Sequence, residues 1–224
     1  CNIIISKSGN TLETISNSSV LIKKNKNVFI TENKSSNLSN LANELKSEII
    51  EHKNYVGGRY SVLSEVGMLP AELMGFKENK FKRFNKLVKS KHFISNLIVN
   101  VNSILTLVKQ KKYNSIILNY DENSDNLFKW YQQLVAESLG KKSKGILPII
   151  STMPKDNHSL LQLYLDGPKN NFYTFFSVNE KKAEIFKLNK TFNALKYLNN
   201  KSFTEIISAQ KKATEIVFKK EKLP

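Results

Sequence analysis

Apolar residues recur along the chain in two rhythms. Residues 2–5 form a short β-branched run around Ile3, Ile4 and Ile5, the pattern of a strand buried on both faces in a parallel sheet. The polar stretch Ser6 to Thr11 follows. Residues 11–22 then take helical spacing, with Ile15, Val20 and Ile22 among the apolar members. A second strand is predicted over 27–31, and a helix over 37–45 with Leu38, Leu41, Ala42 and Leu45 on one face. Further along, the pattern predicts helices over 60–76 (bent at Pro70), 79–88, 92–108, 126–139, 157–165 and 203–219. Strands are expected over 115–119, 146–151 and 172–177. The apolar face expected for 92–108 is Phe93, Leu97, Val101, Ile104, Leu105 and Val108. Strand and helix alternate, which predicts α/β architecture. A boundary is expected near 50–58, where Glu51-His52-Lys53-Asn54 leads into Gly57-Gly58.

The chain has 224 residues, of which 40% are hydrophobic and 24% charged. That much apolar surface offsets chain entropy, so a disordered chain is excluded. One cysteine excludes a disulfide framework and a cysteine-rich zinc site. No apolar run approaches membrane-spanning length, and no charged segment followed by an apolar stretch opens the chain. A cytoplasmic location and no membrane partner are therefore expected. Cys1, rather than Met, stands directly before an apolar run, so the sequence is expected to be an internal stretch of a longer protein. The net charge of +16 raises nucleic acid as a partner. The positive residues are mostly Lys and are dispersed without an arginine-rich run, a pattern that solvates a surface. No nucleic acid partner is expected.

Four segments carry candidate chemistry. Ser6-Lys7-Ser8-Gly9-Asn10-Thr11-Leu12-Glu13-Thr14 joins a buried strand to a helix start, the edge of a parallel sheet where ligands bind. A helix N-terminus favours an anion, and Ser6, Ser8, Thr11 and Thr14 add hydroxyl donors. From these residues alone, a phosphate cradle and an ordinary N-cap are equally good readings. In Gly57-Gly58-Arg59-Tyr60-Ser61, two small residues permit close approach and a permanent cation follows. A plain turn with a surface Arg fits as well. Glu137 lies in the last turn of a helix closed by Gly140, where the dipole disfavours a carboxylate; an exposed helical Glu is the bland alternative. Asp156-Asn157-His158-Ser159 opens a short helix, with Asp156 or Asn157 as its cap. Only His52, His92 and His158 are present, too few for a multi-histidine metal site. Of the three, His158 is the best candidate for proton transfer.

Taken in order, Ile5-Ser6-Lys7-Ser8-Gly9-Asn10-Thr11-Leu12-Glu13-Thr14, Gly57-Gly58-Arg59-Tyr60-Ser61-Val62, Gln132-Gln133-Leu134-Val135-Ala136-Glu137-Ser138-Leu139-Gly140-Lys141 and His158-Ser159-Leu160-Leu161-Gln162-Leu163 resemble the glucose-6-phosphate isomerase (phosphoglucose isomerase) family in its bacterial form. A weaker match is Gln210-Lys211-Lys212-Ala213-Thr214. The resemblance spans nearly the whole chain. It implies SIS-type doubly wound parallel sheets flanked by helices: residues 1–50 as the later part of a first SIS subdomain, and 51–224 as a C-terminally truncated second one. It implies interconversion of glucose 6-phosphate and fructose 6-phosphate through an enediol, with neither metal nor organic cofactor. Ser6, Ser8, Thr11, Thr14 and the Lys7 backbone resemble the family's phosphate cradle. Glu137 resembles its base, Arg59 the group that stabilises the enediolate, with Gly58 beside the substrate, and His158 the residue that assists ring opening. In the family that histidine reaches in from the neighbouring subunit, which implies a homodimer. Asn157 stands where the family commonly has Gln. The family's glycine-rich first loop and its C-terminal Gln and Lys block do not occur in these 224 residues. Lys219, Lys220 and Lys222 lie outside that block. The competing reading is a non-catalytic SIS-type sugar-phosphate-binding module.

Overall fold

The computed structural model describes residues 1–22, 26–179, 184–185, 187 and 193–224. The chain divides into two compact units, Cys1–Ser95 and Asn96–Pro224.

The first unit is built on β1 (Asn2–Ile5), α1 (Leu12–Leu21), β2 (Asn27–Thr31), α2 (Asn37–Glu44) and β3 (Glu48–Glu51). The strands pair in parallel in the order β1-β2-β3, with Ile4 opposite Phe29 and Phe29 opposite Ile49. Both crossovers step in the same direction, and right-handed connections put both helices on one face. Ile4 and Phe29 point to that face. They pack with Leu38 and Ala42 of α2 and with Ile15 and Ile22 around α1. Phe29 and Leu38 are fully buried, each contributing about 2–3 kcal/mol by removal from water. The apolar pattern does not predict β3. Its two isoleucines lie between Glu48 and Glu51 on a largely exposed edge, so it lacks the continuous apolar run of an inner strand, and edge strands characteristically carry charge.

The helix predicted over 60–76 is two elements. A 3₁₀ turn covers Gly58–Leu63, and α3 (Glu65–Leu73) begins anew. The break is at Ser64, whose hydroxyl accepts from Val66 N (3.4 Å) and donates to Ser61 O (2.8 Å). Pro70 lies inside α3. The prediction over 79–88 is likewise divided, into α4 (Glu78–Phe81) and α5 (Phe84–Lys89). The division between the units falls within α6 (Lys91–Lys109). No residue of α6 is buried, although its predicted apolar face is present; Phe93, Leu97, Val101 and Leu105 are exposed.

The second unit holds β4 (Asn114–Asn119), α7 (Asp125–Leu139), β5 (Leu147–Thr152), α8 (Asp156–Ser159), α9 (Leu161–Asp166), β6 (Asn171–Phe176) and α10 (Phe203–Lys220). The parallel order is β5-β4-β6. As the middle strand, β4 is covered on both sides, which explains its uninterrupted Ile116-Ile117-Leu118. Ile116, Leu118 and Tyr120 pack with Tyr164 of α9 and Phe218 of α10. Tyr173 and Phe175 of β6 meet Phe218 edge-on at 4.8 and 5.4 Å. On the other face, Phe128 of α7 meets Phe176 edge-on at 4.8 Å. Burial pushes the Tyr120 and Tyr164 hydroxyls above the usual tyrosine range. Among the described residues, no helix is long and apolar enough to cross a membrane.

Candidate active site

The loop after β1 forms a hydroxyl cluster at the C-terminal edge of the first sheet. The Ser6 and Thr11 hydroxyls are 2.8 Å apart, and Ser8 Oγ is 3.5 Å from Thr11 Oγ1. Gly9 N donates to Ser6 Oγ and Asn10 N to Ser8 Oγ, each at 3.2 Å. Ser6 is buried, Thr14 is half-buried, and Ser8 and Thr11 are exposed, so the cluster opens to solvent. Thr11 is the N-cap of α1 and its side chain makes no capping hydrogen bond. The first turn of α1 therefore has backbone N–H groups to offer.

The neighbouring helix start is occupied differently. Leu38 N donates to Gly9 O (3.0 Å), Asn37 N to Asn10 Oδ1 (3.0 Å), and Ser36 and Ser39 form a capping box. The loop thus consumes the free N–H groups of α2 and leaves those of α1 facing outward. Gly9 makes this possible. Its φ of +69° is in the left-handed region, and a Cβ there would lie 2.1 Å from Ser36 Oγ. Gly9→Ala is expected to cost about 1–3 kcal/mol through backbone strain and overpacking. A urea titration reads this as a lower midpoint; an unchanged midpoint would show that the loop is not held as described.

Arg59 sits in the 3₁₀ turn after β3, at the same sheet edge. Its guanidinium lies 4.6 Å from the centre of the Tyr60 ring. The turn is internally braced: Tyr60 N donates to Gly57 O (2.9 Å), and the buried Ser61 hydroxyl donates to Gly58 O (2.6 Å). Neither Gly57 nor Gly58 has a positive φ. A Cβ on Gly58 would meet nothing within 4 Å, so neither backbone conformation nor packing within the fold requires glycine there. The hydroxyl loop and the Gly-Gly-Arg turn are brought together by Lys7. Its ammonium donates to Asn54 O (2.9 Å) and Val56 O (2.8 Å) and lies 3.4 Å from Glu32 Oε1. Sequence reasoning used only the backbone of Lys7 and missed this side-chain contact.

Glu137 and His158 belong to the second unit. Glu137 is in the last turn of α7, exposed, and accepts from Gln133 Nε2 at 3.4 Å. The helix closes at Gly140 with φ −72°, not in the left-handed conformation common after helices. Space explains the glycine instead, because a Cβ would lie 2.5 Å from Ala136 O. His158 is exposed in α8. Neither Asp156 nor Asn157 is the N-cap of α8; that position is Lys155, with no side-chain cap. Asp156 reaches back instead, accepting from Thr152 N (2.7 Å) and Ser151 Oγ (3.0 Å). This fixes α8 to the end of β5.

Glu137 and His158 stand at opposite ends of the second sheet. α7 runs back along the sheet from the C-terminal end of β4, and Gln132 Nε2 already reaches Pro148 O at the start of β5 (3.0 Å). Glu137 lies beyond that point. His158 follows the other end of β5. Strand rise alone separates Pro148 from Thr152 by roughly 13 Å. One copy of this unit does not bring both side chains to one small molecule.

A sequence model of the family described as phosphoglucose isomerase matches residues 2–152. Glucose-6-phosphate isomerase of Methanocaldococcus jannaschii is 34% identical over 239 residues, covering 99% of this chain and 57% of that protein. Glucose-6-phosphate isomerase of Campylobacter jejuni is 32% identical, covering 95% and 56% respectively. The crystal structure of a hypothetical protein from Thermus thermophilus has the same fold, with a TM-score of 0.84 at 23% identity over 99% of this chain and 58% of the other. The chain thus spans little more than half the length of the curated relatives it matches. With two-thirds of its residues matched by the family model, and the hydroxyl loop and Gly-Gly-Arg turn joined on one sheet edge, the chain belongs to the phosphoglucose isomerase family.

Proposed function

We propose that this chain is the part of a glucose-6-phosphate isomerase that carries the phosphate cradle and most of the reacting groups. Residues 1–50 are then the later part of a first SIS subdomain and 51–224 belong to a second. The full-length protein interconverts glucose 6-phosphate and fructose 6-phosphate, in glycolysis and gluconeogenesis, in the cytoplasm. The observation that carries this reading is the junction of a hydroxyl-rich anion cradle with a permanent cation on one sheet edge.

The chemistry follows from the residue types. Ser6, Ser8, Thr11, Thr14 and the first-turn N–H groups hold the phosphate without a fixed charge, so it binds and leaves. His158 moves a proton between the ring oxygen and the C1 hydroxyl, opening the sugar to its aldehyde. The Glu137 carboxylate then removes the proton from C2. The C2–H electron pair becomes the C1=C2 bond of an enediolate, and charge collects on the carbonyl oxygen. The Arg59 guanidinium stabilises that oxyanion. Return of the proton to C1, with transfer of the O2 proton to O1, gives the ketose. Atoms and electrons balance within the substrate, so the sequence of steps is complete without an external oxidant.

The placement of Glu137 and His158 at opposite ends of one sheet supports a homodimer in which His158 serves the neighbouring subunit's site. The test is fructose 6-phosphate given to the full-length protein, with glucose 6-phosphate formation followed by a coupled dehydrogenase. Steady conversion is expected. Calorimetric binding of the sugar phosphate without conversion would overturn the reading in favour of a binding module.

A further inference from the structure

We propose that Lys7 is a positioning residue whose side chain couples the occupied phosphate cradle to the turn that carries Arg59. The proposal deepens the isomerase reading and rests on it for its catalytic consequence. The cradle follows β1 and the Gly-Gly-Arg turn follows β3. These strands do not pair, since β2 lies between them. Neighbouring strands are about 4.8 Å apart, so the two loops begin nearly 10 Å from one another. No ladder hydrogen bond joins them directly.

Lys7 spans that gap. Its ammonium donates to the carbonyls of Asn54 and Val56, the second of which immediately precedes Gly57. The Glu32 carboxylate, at the end of β2, stands 3.4 Å from the same ammonium. Glu32 is held below the usual carboxylate range, by Lys34 first and by Lys7 as well. The Lys7 main chain is fixed too: its carbonyl accepts from Glu32 N at 3.1 Å. The backbone of Lys7 therefore belongs to the cradle while its side chain belongs to the turn. His52 steadies the far side. It is fully buried, its main-chain N–H donates to Thr31 O (2.8 Å), and its ring Nδ1 is 3.1 Å from Lys53 O.

The consequence concerns where binding energy is used. The phosphate is remote from C1 and C2, and remote contacts aid catalysis when they orient groups at the reacting end. A lysine engaged by two carbonyls and a carboxylate is not a free cation for the phosphate. Its removal should loosen Arg59 more than it weakens substrate binding.

The test uses the full-length protein and the Lys7→Met substitution, which keeps most of the stem and removes the donors. kcat for fructose 6-phosphate is expected to fall about 10- to 100-fold, the scale for misplacing a reacting group by about 1 Å. KM should stay within about threefold, as for loss of a contact that matters mainly in the transition state. In an Arg59→Met background, Lys7→Met should cost less than about twofold, because the two act as one unit. Lys7→Arg, which keeps the charge, should give an intermediate kcat at unchanged KM and serves if Lys7→Met does not fold. A second readout needs no turnover. Inorganic phosphate should slow amide exchange over residues 56–61 in the wild type but not in Lys7→Met. A loss confined to KM, an undiminished effect in the Arg59→Met background, or equal phosphate protection in both proteins would overturn the coupling. A wild type that shows phosphate protection but no turnover would leave the coupling standing and remove the isomerase reading.

Discussion

Glu137→Gln in the full-length protein is expected to lower kcat for fructose 6-phosphate by about 10²- to 10⁴-fold, the range for removing a general base. The substitution preserves volume and shape. Glu137 is exposed at the end of α7 and contributes no buried packing. The melting temperature of the variant should therefore stay close to that of the wild type. What is lost is the ability to accept a proton from carbon. An amide oxygen is far too weak a base, so no compensating group is expected from the same position. Gln133, one turn earlier, donates to the Glu137 carboxylate at 3.4 Å, and it can still meet the amide oxygen of the variant. Orientation is thereby retained while basicity is removed. KM should change little, because Glu137 is not among the residues proposed to hold the phosphate. Wild-type turnover in this variant would refute Glu137 as the base.

Arg59→Met is expected to cost about 10²- to 10³-fold in kcat, the typical penalty for removing a group that stabilises a developing oxyanion. Arg59→Lys should recover little of it. The guanidinium is planar and lies 4.6 Å from the Tyr60 ring centre, an arrangement that orients a flat cation better than a compact ammonium. The turn should survive either change, since its bracing comes from the Ser61 hydroxyl to Gly58 O and from Tyr60 N to Gly57 O. Steady-state kinetics of the three proteins check this. Full activity in Arg59→Lys would mean that charge alone suffices and that the placement over the Tyr60 ring is incidental.

Apolar runs make the edge strands β1, β5 and β6 legible in the sequence as well as the central β2 and β4. β2 and β4 lie in sheet centres and show uninterrupted apolar runs. β3 is an edge strand closed by glutamates, and its two isoleucines give no periodic signal. The helix expected over 60–76 is broken by a single hydroxyl, Ser64, which ends one turn and starts another. Apolar spacing does not record such a local choice. For α6, amphipathic spacing predicts a buried face that is exposed here. The hydroxyl cluster after β1 is legible because hydroxyls concentrate between an apolar strand and a helix start. The side-chain role of Lys7 is not, because its partners are main-chain carbonyls nearly fifty positions away, and carbonyls leave no mark in a sequence. Likewise, Asp156 or Asn157 is expected to cap α8, and Asp156 instead braces the end of β5, because Thr152 N and Ser151 Oγ lie within its reach. The separation of Glu137 from His158 becomes readable only with the strand order and the direction of α7.

The most direct test of the central claim is proton exchange at carbon. Fructose 6-phosphate is incubated in D₂O with the full-length protein and followed by proton NMR. The wild type should introduce deuterium at the carbons that exchange a proton through the enediol, C1 of the ketose and C2 of the aldose, as the two sugars equilibrate. Glu137→Gln should introduce none on the same timescale, while still binding the sugar phosphate. Undiminished deuterium incorporation in Glu137→Gln would contradict the account.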